Sequence, residues 1–121
     1  MDGDTTEPLR EPPVRGSERR GQATVVRLGG ELDLYNADEV RAALMNAIDS
    51  GTERIVVDMS EVEFVDSTAL GVLIEARSKI GHDGLLLAAP QPETRRTLQV
   101  SGLDRHLPVH DSVDGALAAA S

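Results

Sequence analysis

The chain has 121 residues, the length of one ordinary domain, and 40% of them are apolar, enough to build a core. Twenty-one acidic residues against 12 basic ones leave a net charge of −9, which disfavours nucleic acid and anionic membranes and favours a partner with a basic face. The lack of cysteine excludes disulfides, thiolate zinc sites and cysteine catalysis, and with Tyr35 and Phe64 as the only aromatics the core must be aliphatic and stacking on bases or sugars is not expected.

Residues 1–20 carry Gly3, Pro8, Pro12, Pro13 and Gly16 among many charges and read as a flexible tail ahead of a domain over residues 21–121. Within that tail, residues 14–19 suit an edge strand, where proline nearby is tolerated. The first eight residues lack the basic and apolar stretches of a signal peptide. No apolar run approaches a membrane span, so the expectation is a soluble cytoplasmic protein with no membrane partner.

Residues 23–28 are rich in β-branched side chains and predict a strand, broken by Gly29-Gly30. Residues 37–48 place Val40, Ala43, Leu44, Ala47 and Ile48 at helical spacing, with Asn36 or Asp33 as cap and Ser50-Gly51 as terminator. Residues 54–59 form an apolar run that fits a central strand buried on both faces. Val62 and Phe64 then lead to Asp66, and from Ser67 to Ile80 the positions Leu70, Leu73, Ile74, Arg77 and Ile80 again read as a helix, widened by Val72 and Ala76 and closed by Gly81. A third strand over 84–89 stops at Pro90. A helix over 92–100 starts on proline and ends at Ser101-Gly102. Leu107-Pro108-Val109 predicts a last short strand, and Asp111 or Ser112 caps a final helix over 113–120. Strands alternating with helices through short links give an α/β domain with helices packed on a mostly parallel sheet.

Asp66-Ser67-Thr68 lies where a buried strand hands over to a helix. Asp66 suits the N-cap, because its carboxylate accepts from the open amides of the first turn. Ser67 and Thr68 then stand on that turn, where partial positive charge tolerates a phosphate while Asp66 opposes it. Capping alone also accounts for such residues at a helix start. A nucleophilic Ser67 needs a histidine base, and His82, His106 and His110 are the candidates; the neighbours Val65-Asp66-Ser67-Thr68-Ala69 are not Gly-x-Ser-x-Gly, so catalysis is not expected.

Gly29-Gly30-Glu31-Leu32-Asp33 is neither a dinucleotide fingerprint nor a phosphate loop, and no cofactor is expected. Glu31 and Asp33 read as loop charges at the same sheet end as Asp66, either solvated or touching a partner. Asp33, Asp58 and Asp66 at strand ends match no metal-site spacing, so no metal is expected. Asp58 is more simply a strand-end residue, and Arg95-Arg96 a solvated helix face.

Four segments in order, Glu31-Leu32-Asp33, Ile55-Val56-Val57-Asp58-Met59-Ser60, Phe64 to Leu73 and Ser101-Gly102-Leu103, resemble the STAS domains of bacterial anti-sigma factor antagonists over about residues 20–119. Ala69 stands where such domains often have glycine. The resemblance implies a small mixed sheet with helices mainly on one side. It also implies a protein that, unphosphorylated, binds an anti-sigma factor serine kinase of the histidine-kinase-like ATPase fold and so frees a sigma factor. Phosphorylation of Ser67 by that kinase ends the complex, and a serine phosphatase resets it. Asp66 would support the acceptor, Thr68 would be its neighbour or a secondary acceptor, and Asp33 would belong to the partner surface. The same family also implies an alternative, a scaffold or an accessory subunit of a larger assembly or transport system.

Overall fold

The computed structural model describes residues 10–81 and 83–120. Among them run β1 (Val14–Arg20), β2 (Ala23–Leu32), α1 (Ala37–Asp49), β3 (Arg54–Val65), α2 (Ser67–Ile80), β4 (Leu85–Ala88), α3 (Pro92–Ser101), a single 3-10 turn (Leu103–Arg105), β5 (Val109–His110) and α4 (Val113–Ala120). The strands make one mixed sheet in the order β1-β2-β3-β4-β5, in which β1 is antiparallel to β2 and the other neighbours are parallel.

Alternation along the strands divides the apolar residues between two faces. Val26, Leu28, Ile55, Val57, Leu85 and Leu87 face a large core with Val40 and Leu44 of α1, Leu73 and Ala76 of α2 and Leu98 of α3. Val25, Val56, Leu86 and Ala88 face the other way, covered by Ala116 of α4 with Val113, Leu117 and Ala120. Three helices thus lie on one side and one on the other, in agreement with the expected small mixed sheet and its helices mainly on one side. The central strand is buried on both faces, as its unbroken apolar run required: Ile55, Val56 and Val57 are all fully buried.

Four elements qualify or extend the sequence expectation, β3 among them, since it runs on to Val65 where a strand over 54–59 is expected. β1 (Val14–Arg20) is the edge strand expected over 14–19, and it draws into the sheet residues otherwise counted with the tail; residues 1–9 of that tail lie outside the described residues. Gly29-Gly30 does not break β2, which runs on to Leu32. Gly30 has φ +76, a conformation that a side chain would strain, and a Cβ on Gly29 would come within 2.6 Å of the Arg15 guanidinium carbon. The glycines therefore let the strand pass an irregularity instead of ending it. Over this stretch β3 advances further than β2, since Arg27 pairs with Asp58 but Leu32 pairs with Val65. The last strand sits at Val109–His110, not 107–109, because the Leu107 side chain is drawn into the core and Pro108 contributes only its carbonyl, to the Leu87 amide at 2.9 Å.

β4 pairs only with Ile55–Asp58, so the second half of β3 extends past it. There α3 supplies partners: Gln91 Nε2 donates to the Ser60 carbonyl at 2.9 Å, and Thr94 Oγ1 to the Val62 carbonyl at 3.5 Å. This support carries the end of β3 out to the point where α2 begins. Among the described residues no helix is long and apolar enough to cross a membrane.

Candidate functional site

The end of β3 and the start of α2 meet the loop between β2 and α1, and Asp66 joins them. Its backbone is extended (φ −102, ψ −179), the N-cap conformation. Oδ1 accepts from the Ala69 amide at 2.9 Å, capping the helix, and Oδ2 accepts from the Leu34 amide at 3.0 Å, across the chain. The Asp66 amide itself donates to the Leu32 carbonyl at 3.0 Å. One carboxylate thus serves two amides from different elements, which fixes the β2–α1 loop against the first turn of α2. The expected cap is present, and it does more than cap.

The loop has its own internal order. Asp33 Oδ1 accepts from the Tyr35 amide at 3.0 Å, a short side-chain turn. The Asp33 amide donates to Asn36 Oδ1 at 2.9 Å, and Asn36 Nδ2 donates to the Glu31 carbonyl at 2.8 Å. Asn36 occupies the N-cap position of α1 but makes no side-chain cap bond there; its buried amide is spent holding the loop. Either Asn36 or Asp33 was a fair expectation as the cap, and both instead build the turn.

Ser67 and Thr68 are exposed, on the first turn of α2. Ala69 behind them is buried, its methyl part of the main core, which explains how alanine is accommodated at that position. Three large apolar side chains of the joined segments are exposed: Leu34 is 65% exposed and Tyr35 86%, on the loop that Asp66 holds, and Phe64 52%, at the end of β3 beside Glu93, Arg96 and Thr97 of α3. Neither aromatic of the chain is part of the core. The sequence held a signal for them, since Tyr35 stands just after one motif segment and Phe64 opens another, but an aromatic residue by itself reads as core. Further along α2, Ile74 is also exposed, on the face that holds Ser67 and Gly71.

α1 and α2 are tied by Arg41, whose Nε and Nη2 grip the Glu75 carboxylate at 2.8 to 2.9 Å. This hydrogen bond is the main reason that the Glu75 carboxyl is lowered from its ordinary 4.5, against the opposing effect of desolvation.

Of the three aspartates at strand ends, Asp33 and Asp66 are brought to the same loop, each bonded to a neighbouring amide. Asp58 stays apart, level with Arg27 and Ala88 in the sheet, where Oδ1 accepts from the Ser60 amide at 3.0 Å. No group of three or more potential ligands stands close enough to hold a metal ion among the described residues. His106 follows the 3-10 turn and His110 lies in β5, at the edge opposite β1; His82 is outside the described residues. Arg95 is not merely a solvated face, since it pairs with Asp111 at 2.8 Å and links α3 to the segment before α4.

A family model described as the STAS domain matches residues 16–116. An anti-sigma F factor antagonist of Paenibacillus polymyxa is 34% identical over 96 residues, which cover 77% of this chain and 82% of that protein. Among solved structures, an anti-sigma factor antagonist from Mycobacterium paratuberculosis is 32% identical with a TM-score of 0.79, covering 85% of this chain and 89% of that one. The anti-sigma factor antagonist SpoIIAA in its unphosphorylated form is 25% identical with a TM-score of 0.74, covering 87% and 94%.

Proposed function

This chain belongs to the STAS-domain family, and from that premise we propose that it is an anti-sigma factor antagonist switched by phosphate at Ser67. In its unphosphorylated form it binds an anti-sigma factor that is itself a serine kinase, and thereby releases the sigma factor. The kinase then modifies Ser67, and a serine phosphatase restores the hydroxyl. The protein acts by presenting a surface, in the cytoplasm, and contributes no catalysis of its own.

The observation that carries this reading is the setting of Ser67. It is exposed on the first turn of a helix whose start is held in place by Asp66 from two directions. Leu34 and Tyr35 on the loop that Asp66 holds, and Phe64 at the end of the preceding strand, offer apolar contact area that the fold itself leaves open, the usual mark of an interaction surface. A phosphate on Ser67 adds about −1.5 to −2 of charge at neutral pH. It enters beside the carboxylates of Asp66 and Asp33, on a molecule that is already acidic, so the surface changes from apolar with local negative charge to strongly anionic. A partner fitted to the first form meets repulsion and a desolvation cost in the second. SpoIIAA, a similar protein, is known in an unphosphorylated and a phosphorylated form.

The test uses the anti-sigma factor kinase encoded by the same organism. Incubated with it and ATP, the wild type is expected to gain one phosphate on the peptide that contains Ser67, and Ser67→Ala to gain none by mass spectrometry. Phosphate on Ser67→Ala at the wild-type rate overturns the assignment of the acceptor.

A further inference from the structure

Residues 10–13 run alongside the continuation of β2 towards the loop that Asp66 holds. Pro13 is buried and its carbonyl accepts from the Gly29 amide at 2.9 Å. Arg15 Nε donates to the Pro12 carbonyl at 2.8 Å, while its Nη1 reaches Glu61 at 3.0 Å and Glu11 at 3.1 Å. The segment is thus anchored at one end. At the other end, Arg10 Nη2 donates to the Glu31 carbonyl at 3.0 Å and to Asp33 Oδ2 at 3.1 Å. Asp33 Oδ1 is already taken by the Tyr35 amide, so Arg10 fills the remaining oxygen. Two consecutive prolines between anchor and arginine restrict the backbone to extended forms, so little further freedom is lost when the contact closes. Arg10 is itself half-exposed, which keeps the contact weak enough to open.

We propose that residues 10–13 form a strap whose Arg10 occupies Asp33 from within the chain, so that a partner bringing its own cation to Asp33 must first displace it. The inference rests on the reading that Asp33 belongs to the partner surface. It adds a built-in competitor, one that sets the threshold for binding without touching Ser67. The strap's guanidinium stands in for a basic side chain of the partner, which suits an acidic protein whose partner carries the opposite charge.

The full chain, Arg10→Ala, Asp33→Asn and the double variant are titrated calorimetrically with the same anti-sigma factor at low and at high salt. At low salt Arg10→Ala is expected to bind about two- to five-fold more tightly than the wild type, the range that an exposed ion pair commands. The gain should shrink at high salt and disappear in the Asp33→Asn background. Equal affinity, or weaker affinity on loss of Arg10, overturns the strap alone, since the partner then binds without having to displace it. If the anti-sigma factor binds neither the wild type nor the variants, the proposed function fails and the strap falls with it.

Discussion

A single carboxylate organises the site, and its two oxygens do different work. Asp66 Oδ1 caps α2 through the Ala69 amide, and Oδ2 holds the Leu34 amide of a loop 32 residues earlier. Replacing it with alanine leaves both amides without their acceptor. The expected cost is about 2 kcal/mol, roughly one for the cap and one for the cross-chain bond, read from the urea midpoint. Asp66→Asn keeps one good acceptor and should lose about half of that, since asparagine caps nearly as well. Amide exchange checks the geometry: Leu34 and Ala69 should both exchange faster in Asp66→Ala. Protection of Leu34 unchanged in that variant would show that the loop is held by Asn36 and Asp33 alone. The cap was legible from Asp66-Ser67-Thr68 because capping is a local rule. The second bond was not, because nothing local relates Asp66 to Leu34.

At the scale of elements, the position of α2 depends on its neighbours as much as on its own sequence. β3 delivers its first residue, α3 supports the free length of β3 through Gln91 and Thr94, and Arg41 of α1 grips Glu75 one face away. The last contact responds to pH. The Glu75 carboxyl is held below its ordinary value, first by the hydrogen bond from Arg41 and then by the attraction of that cation. A carboxyl lowered on folding contributes stability above its unfolded value of 4.5, and that contribution is lost as pH falls through the lower folded value. Glu75→Gln should therefore lower the urea midpoint slightly at neutral pH, slightly because the pair is solvent-exposed. The difference from the wild type should narrow below pH 4.5 and close once the folded carboxyl is protonated. A difference that persists unchanged into acid would assign the effect to packing instead of charge. Helix periods, the start at Pro92 and the stops at Gly81 and Gly102 were all readable in advance, because each follows from backbone preference. The lengths of β2 and β3 were not, because Gly29-Gly30 has the composition of a breaker and only pairing with β3, with Arg15 lying over it, turns it into strand.

Across the whole molecule the sheet separates two cores of unequal size, and the site belongs to one side. α4 covers the smaller patch with Ala116, which is completely buried against Val25, Val56 and Leu86. Ala116→Asp would place an unpaired carboxylate there, with an expected cost of about 3 kcal/mol in chemical denaturation. In the folded molecules the amide shifts of Leu34 and Ala69 should stay where they are, because the Asp66 clasp stands at the end of the opposite core; a large shift at both would join the two faces mechanically. The amino-acid sequence by itself determined the alternation of strands and helices, the two-faced burial of the central strand, the cap at Asp66 and the acidic character of the surface. Each of these depends on periodicity, backbone preference or charge, which neighbours in the chain dictate. Only the tertiary structure decided that β2 runs on through Gly29-Gly30, that the Asn36 side chain holds a loop instead of capping α1, that Tyr35 and Phe64 are left exposed, and that Arg10 closes on Asp33. Those outcomes turn on which surfaces and hydrogen-bonding groups are left over once the aliphatic core has closed, and that remainder is a property of the packed molecule.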